Sequence, residues 1–299
     1  TIDTQLRESY VGIDYVSTPS INSNFLKYSS MRVSGPRIGL APMCKWGFSF
    51  QSTALYGKYL FVISNGENST RCAIVDVSTM TVLQNRTGML PQDGTHHNSA
   101  VFLAEKYDAD DEFPLLLIGG AQDDGTKGAE AYIFRVQYSS TDGYTLTQVS
   151  TLHLPLRDDV FGNNSEACNF NMWNGKLLIE YRFTNTSNVK TIRLALFTMP
   201  TIGTNNDVQV PISSLIEDWE VGPSFTMQDS YVDGDVMYIG QAYGLMYYNL
   251  STKTTGGTFT LDGTALKKEC ESSFVFGNQL FLALATQYNG IMLFDARND

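Results

Sequence analysis

Hydrophobic and polar residues alternate along this chain in short runs, and Gly, Asn, Asp, Ser and Thr break the runs apart. Alternation with period two places apolar side chains on one face of an extended strand. The breaking residues are those that tight turns demand. Stretches with the 3.6-residue period of a helix are scarce, so the pattern predicts an all-β chain of many short strands. Sixteen Tyr and seventeen Phe agree with this, since aromatic side chains suit pleated surfaces.

One unit recurs: a small polar run, two apolar residues, a turn glycine, then a strongly apolar strand. It reads Gln51-Ser52-Thr53-Ala54-Leu55-Tyr56-Gly57 ahead of residues 59–63, and Asn169-Phe170-Asn171-Met172-Trp173-Asn174-Gly175 ahead of 177–179. It returns as Gln228-Asp229-Ser230-Tyr231-Val232-Asp233-Gly234 before 236–239, and as Glu271-Ser272-Ser273-Phe274-Val275-Phe276-Gly277 before 280–284. A fifth copy opens with Asn98-Ser99-Ala100-Val101-Phe102, and a longer loop over 104–112 replaces its glycine. Each copy is followed by a third strand, at 72–77, 131–136, 192–197, 245–250 and 291–294. A fourth strand follows in four copies, as at 145–152 and 257–261.

Antiparallel four-stranded units repeated around an axis define a β-propeller. The expectation is a five-bladed β-propeller spanning 46–299, preceded by an N-terminal segment over 1–45, with one domain overall. The last unit ends after its third strand, so a strand within 25–45 is expected to pair with 291–294 and close the ring, removing exposed edges. The alternative is a six-bladed ring with a degenerate blade inside 1–45.

Composition narrows the function classes. The 299 residues are 42% hydrophobic, enough to bury one sizeable core. The net charge of −11 argues against nucleic acid and anionic membranes, both of which need basic surfaces. No run approaches the roughly 18 apolar residues of a spanning helix, so no membrane insertion is expected. The chain opens on Thr1 with no signal peptide in view, which reads as a processed or trimmed product. Cys44, Cys72, Cys168 and Cys270 form no C-x-x-C pair, so buried free thiols are expected, with disulfides left open.

Aligning the units puts Gln51, Asn98, Asn169, Gln228 and Glu271 in register on the innermost strands. Amides donate and accept together, so a ring of them at a channel mouth would suit a hydroxyl-rich ligand. A water-filled channel needs polar lining anyway, and that is the competing account. His97 falls on the same rim beside His96; adjacent histidines point to opposite strand faces and make poor joint metal ligands. Trp46 or Trp173 would offer an aromatic platform. No metal site or cofactor is expected. The one hint of a cation is calcium at the acidic loop 106–112, where Asp108, Asp110 and Glu112 lack the glycine and distal glutamate of an EF-hand; a solvated turn is the preferred reading.

The segment His97-Asn98-Ser99-Ala100-Val101-Phe102, continuing through Lys106-Tyr107-Asp108 to Asp111-Glu112-Phe113-Pro114-Leu115-Leu116, resembles a motif of uncharacterised propeller-like proteins from gut Bacteroidetes and their phages. The resemblance covers about twenty residues and carries no known activity. It implies an extracellular, cell-surface or virion setting and a recognition role.

The expectation is therefore a non-catalytic recognition or assembly propeller, with a glycan or protein partner bound by Gln51, Asn98, Asn169, Gln228, Glu271 and His97. The alternative is a glycoside-processing enzyme. That chemistry needs two carboxylates across the channel, and the inner strands offer Glu166, Asp229, Glu269 and Glu271, of which Asp229 should face away from Gln228. A third class is a structural module of a larger assembly. Several N-x-S/T triplets, such as Asn68-Ser69-Thr70, are expected by chance in so polar a chain.

Overall fold

A computed structural model describes residues 15–17, 31–39, 48–66, 69–90, 97–119, 130–155, 165–184, 187–223, 227–241, 244–260, 270–277, 279–285 and 291–297. Apart from a 3-10 turn at Ile212–Ser214, the regular structure there is strand. In chain order the strands are β1 (Tyr15–Ser17), β2 (Met31–Gly39), β3 (Phe48–Tyr56), β4 (Tyr59–Gly66), β5 (Ser69–Asp76), β6 (Thr81–Thr87), β7 (Ser99–Phe102) and β8 (Leu116–Gly119). They continue as β9 (Glu130–Ser139), β10 (Gly143–His153), β11 (Ser165–Trp173), β12 (Lys176–Thr184), β13 (Lys190–Phe197), β14 (Asp207–Gln209) and β15 (Leu215–Pro223). The last are β16 (Met227–Asp233), β17 (Val236–Gln241), β18 (Gly244–Asn249), β19 (Thr254–Thr260), β20 (Cys270–Phe276), β21 (Gln279–Ala285) and β22 (Ile291–Arg297).

Among the described residues these strands form five sheets: β3-β4-β5-β6, β7-β8-β9-β10 with β14 added, β11-β12-β13-β15, β16-β17-β18-β19, and β20-β21-β22-β2-β1. Strands β3, β7, β11, β16 and β20 are innermost. Each touches the next, and β20 touches β3 again, which is a β-propeller arrangement. In the last sheet β2 pairs antiparallel with β22, bringing Pro36 opposite Phe294 and Ile38 opposite Leu293.

The turn glycines of the repeat read out directly. Gly57, Gly175, Gly234 and Gly277 all have positive φ, between 57° and 72°. At Asn174-Gly175 both residues do, at 50° and 72°, so Gly and Asn are the residues that turn tolerates. The core lies between sheets. Leu178, Ile192 and Leu194 of the third sheet interleave with Met237, Ile239 and Met246 of the fourth, and the first–second, second–third and fifth–first junctions are built the same way.

One element departs from the repeat. Between β13 and β15 the chain leaves its own sheet, and β14 docks parallel on β10 of the second. Ile202, Val208 and Val210 bury there, while the Glu105 carboxylate accepts from Ile202 N at 3.0 Å and Gly203 N at 2.7 Å. This excursion latches the second sheet to the third.

Candidate axial site

The aligned polar position lies at or beside a break in sheet register: Gln51, Gln228 and Glu271 fall within the break, and Asn169 directly follows it, opposite Glu180. Pairing slips between Phe50 and Ser52, between Ala167 and Asn169, between Met227 and Ser230, and between Cys270 and Ser272. A β-bulge adds an unpaired residue and re-aims its side chain. In the second sheet the equivalent bend is made by His97, at φ 49°, just before β7 begins. Period two therefore fails at this position, and at Gln228-Asp229 it is Asp229 that turns toward the axis.

Asp229 shows the consequence. The alternation expected it to face away from Gln228. Instead its Oδ2 accepts from Ser272 Oγ at 2.8 Å on β20 and from Thr53 N at 3.2 Å on β3, and its Oδ1 accepts from Ser230 N at 2.9 Å. It is fully buried.

The remaining bonds carry the connection around the axis. Ser52 Oγ donates to the His97 carbonyl at 2.8 Å, joining β3 to the start of β7. Asn98 Nδ2 donates to Asn169 Oδ1 at 2.8 Å, and Phe170 N donates to Ser99 Oγ at 3.1 Å, joining the second sheet to β11. Asn169 Nδ2 reaches the Gln228 carbonyl at 2.5 Å, and Asn171 Nδ2 reaches Ser230 O at 2.8 Å, joining β11 to β16. The Thr53 and Ser272 hydroxyls meet at 2.7 Å, joining β20 to β3. Every innermost strand is thus bonded to both of its neighbours by buried polar groups.

Asn98, Asn169 and Gln228 are brought together in this circuit. Glu271 is buried at its bulge beside Cys270, and Gln51 is half-buried at its own. His97 is buried, with its ring edge-on to Tyr132. Asn98, Asn169, Gln228 and Glu271 are all buried. Trp173 is no platform at this rim. It packs against Trp219 between the third and fourth sheets and donates Nε1–H to Asp235 Oδ1 at 3.0 Å. Trp46, His96 and Glu269 lie outside the described residues, as does the side chain of Glu166.

The repeat alignment missed Glu180, which comes from β12 opposite Asn169. Its Oε1 accepts from Ser230 Oγ on the next sheet, while its Oε2 is buried with no partner among the described residues. Ser64 and Gln241 lie opposite the other inner-strand ends and also carry buried oxygens without partners among the described residues. Complete burial pushes the Glu180 carboxyl up to about 7, against the bonds from Ser230 and Asn169. Burial likewise raises Asp229 well above the usual carboxylate range, and the neighbouring Glu180 charge adds to the rise. Two acids that hold protons this tightly could exchange them with a substrate, but at 0% exposure neither meets one in this form.

Among the described residues, no group of three His, Cys, Asp or Glu is placed to hold a metal. In the 106–112 loop Asp111 is taken up by Arg135, whose Nη2 and Nε donate to it at 2.6 and 2.9 Å, and Asp108 Oδ1 accepts from Asp110 N at 3.2 Å. Cys72 and Cys270 are buried free thiols, the former pushed up to about 12 by burial.

No family model matches the chain, and no curated protein does. Among solved structures, two glucose dehydrogenases superpose with TM-scores of 0.45 and 0.43, both at 10% identity. They cover 84% and 82% of this chain and 96% and 95% of their own. A structure described as the Dos1 propeller superposes with a TM-score of 0.34 at 10% identity, over 79% of this chain and 54% of its own. Likenesses this slight say nothing about what the chain binds or does.

Proposed function

We propose that this chain is a non-catalytic recognition propeller, working outside the cytoplasm or on a virion, whose partner is a glycan. A propeller suits a binding or assembly role in general, because its inner strands form a rigid hub and its loops and turns are free to vary. The observation carrying the reading is how the axial polar groups are used: the Asp229 carboxylate and the Asn98, Asn169 and Asn171 amides bond from sheet to sheet. Groups committed in this way support the scaffold, which leaves recognition to the exposed faces. The reading takes each of the five sheets as one blade and β2 as the strand that closes the ring, so that the N-terminal segment belongs to a single domain.

A glycan array and a glycosidase screen on the same preparation test the proposal. Binding without cleavage supports it, and turnover of any glycoside overturns it in favour of an enzyme.

A further inference from the structure

Seven large hydrophobic side chains stand exposed among the described residues, and two of them, Tyr138 at 59% and Tyr56 at 36%, belong to one aromatic network between the first and second sheets. Tyr56 sits 5.7 Å from Phe113, Phe113 lies 6.1 Å from Tyr144, and Tyr144 lies 4.9 Å from Tyr138, centroid to centroid. Tyr59 completes the cluster at 5.3 Å from Phe113.

The network is anchored from below. Phe113 is 1% exposed, and Gln84 of the first sheet grips the Tyr144 backbone of the second from both sides, accepting from its N–H at 2.9 Å and donating to its carbonyl at 2.8 Å. The exposed rings are thus presented in fixed positions. Charged groups border them: Lys58 reaches over Tyr59, 5.4 Å from the ring centre, and exposed Glu112 directly precedes Phe113, the centre of the cluster. Lys58 is itself held by Asp76 at 2.7 Å.

We propose that this junction of the first and second sheets binds a neutral oligosaccharide, stacked on Tyr56 and Tyr138 and oriented by Lys58 and Glu112. The proposal rests on the recognition reading above and gives it a site. Fixed aromatic faces take the apolar C–H faces of sugar rings at little entropic cost, and tyrosine edges add hydroxyls where the ligand is wet. A donor and an acceptor at the border match sugar hydroxyls. Glu112 and the nearby acidic loop, on a chain of net charge −11, disfavour anionic glycans. Of the other exposed apolar side chains, Ile216 lies on β15 of the third sheet with Val189 and Ile212 in the segments before β13 and β15, Leu83 lies on β6 of the first sheet, and Tyr107, in the 106–112 loop, is covered by Arg135 at 4.9 Å from its ring centre.

The test titrates the full chain with cello-, xylo-, malto-, manno- and chito-hexaose, alongside Tyr138→Ala, Tyr56→Ala and Tyr138→Phe, with a melting curve for each. One hexaose should bind. Each alanine variant should weaken it about tenfold, the loss of one aromatic contact, with the melting temperature unmoved for Tyr138→Ala. Tyr138→Phe should keep most of the affinity. If a hexaose binds and both alanine variants bind it equally well, the patch is overturned while the recognition reading survives. If no hexaose binds, or Tyr138→Ala instead abolishes capture of a protein partner, the oligosaccharide proposal falls together with the glycan reading.

Discussion

Thr53 and Asp229 lie 176 positions apart, yet the Thr53 amide donates to the Asp229 carboxylate across the axis at 3.2 Å. The same carboxylate oxygen takes the Ser272 hydroxyl at 2.8 Å, so one side chain ties the inner strands of three sheets. Asp229→Ala takes the side-chain acceptor from the buried Thr53 and Ser230 amides, at about 1–3 kcal/mol each, and leaves the Ser272 hydroxyl only its bond to Thr53 Oγ1. Asp229→Asn keeps one acceptor oxygen and should cost less than half as much. Urea unfolding measures both, and equal losses would show that the carboxylate is not the tie.

Glu180 makes stability depend on pH. The folded chain holds its proton up to about pH 7, while the unfolded chain releases it near 4.5. Its contribution is therefore fully present below 4.5 and is lost as the pH rises through 7, a change of about 3 kcal/mol. Asp229 acts in the same direction. Asp76, held down to about 2 by Lys58 and Ser78, acts oppositely and only in acid, where its contribution disappears as the pH falls through that value. Unfolding free energy measured from pH 4 to 8 should decline for the parent chain and decline less for Glu180→Gln; matching profiles would contradict this.

Gly240 permits a close approach of the fourth and fifth sheets. A Cβ there would sit 2.3 Å from the Cys270 carbonyl oxygen and 3.1 Å from Gln228 Cβ. Gly240→Ala must push backbone apart and should cost about 1–3 kcal/mol, read as a lowered denaturation midpoint. An unchanged midpoint would mean that the contact relaxes freely.

Removing residues 1–45 deletes the strand that pairs with β22 and exposes its edge. The melting temperature should fall markedly. A truncated chain that melts with the parent would show that β2 does not close the ring.

Turn chemistry and strand order were open to reading in the sequence. Gly57, Gly175, Gly234 and Gly277 mark hairpins because few residues other than glycine accept their φ, and such signals are local. The polar position of Gln51, Gln228 and Glu271 was legible for the same reason, but the glycine ruler slips by one in the third unit: Gly175 is the second residue of its turn where Gly57, Gly234 and Gly277 are the first, so Cys168 rather than Asn169 is the bulged equivalent. The bulges were not legible. An extra residue in a strand has no composition of its own, so period two was carried straight through it and Asp229 was turned the wrong way. Glu180 escaped because it comes from a second strand, where apolar neighbours make it look like an isolated charge. The latch by β14 escaped because three residues pairing with a different repeat leave no periodic trace.

The division between a hub that holds and a face that binds is tested most directly by replacing Asn98 and Asn169 with Ala together. Melting temperature and oligosaccharide affinity would be measured on the same preparation. Losing the bonds from Asn98 to Asn169 and from Asn169 to the Gln228 carbonyl should lower the melting temperature by roughly 5 °C or more, while affinity stays that of the parent chain. An unchanged melting temperature with affinity abolished would contradict the account and make the axial ring the ligand site.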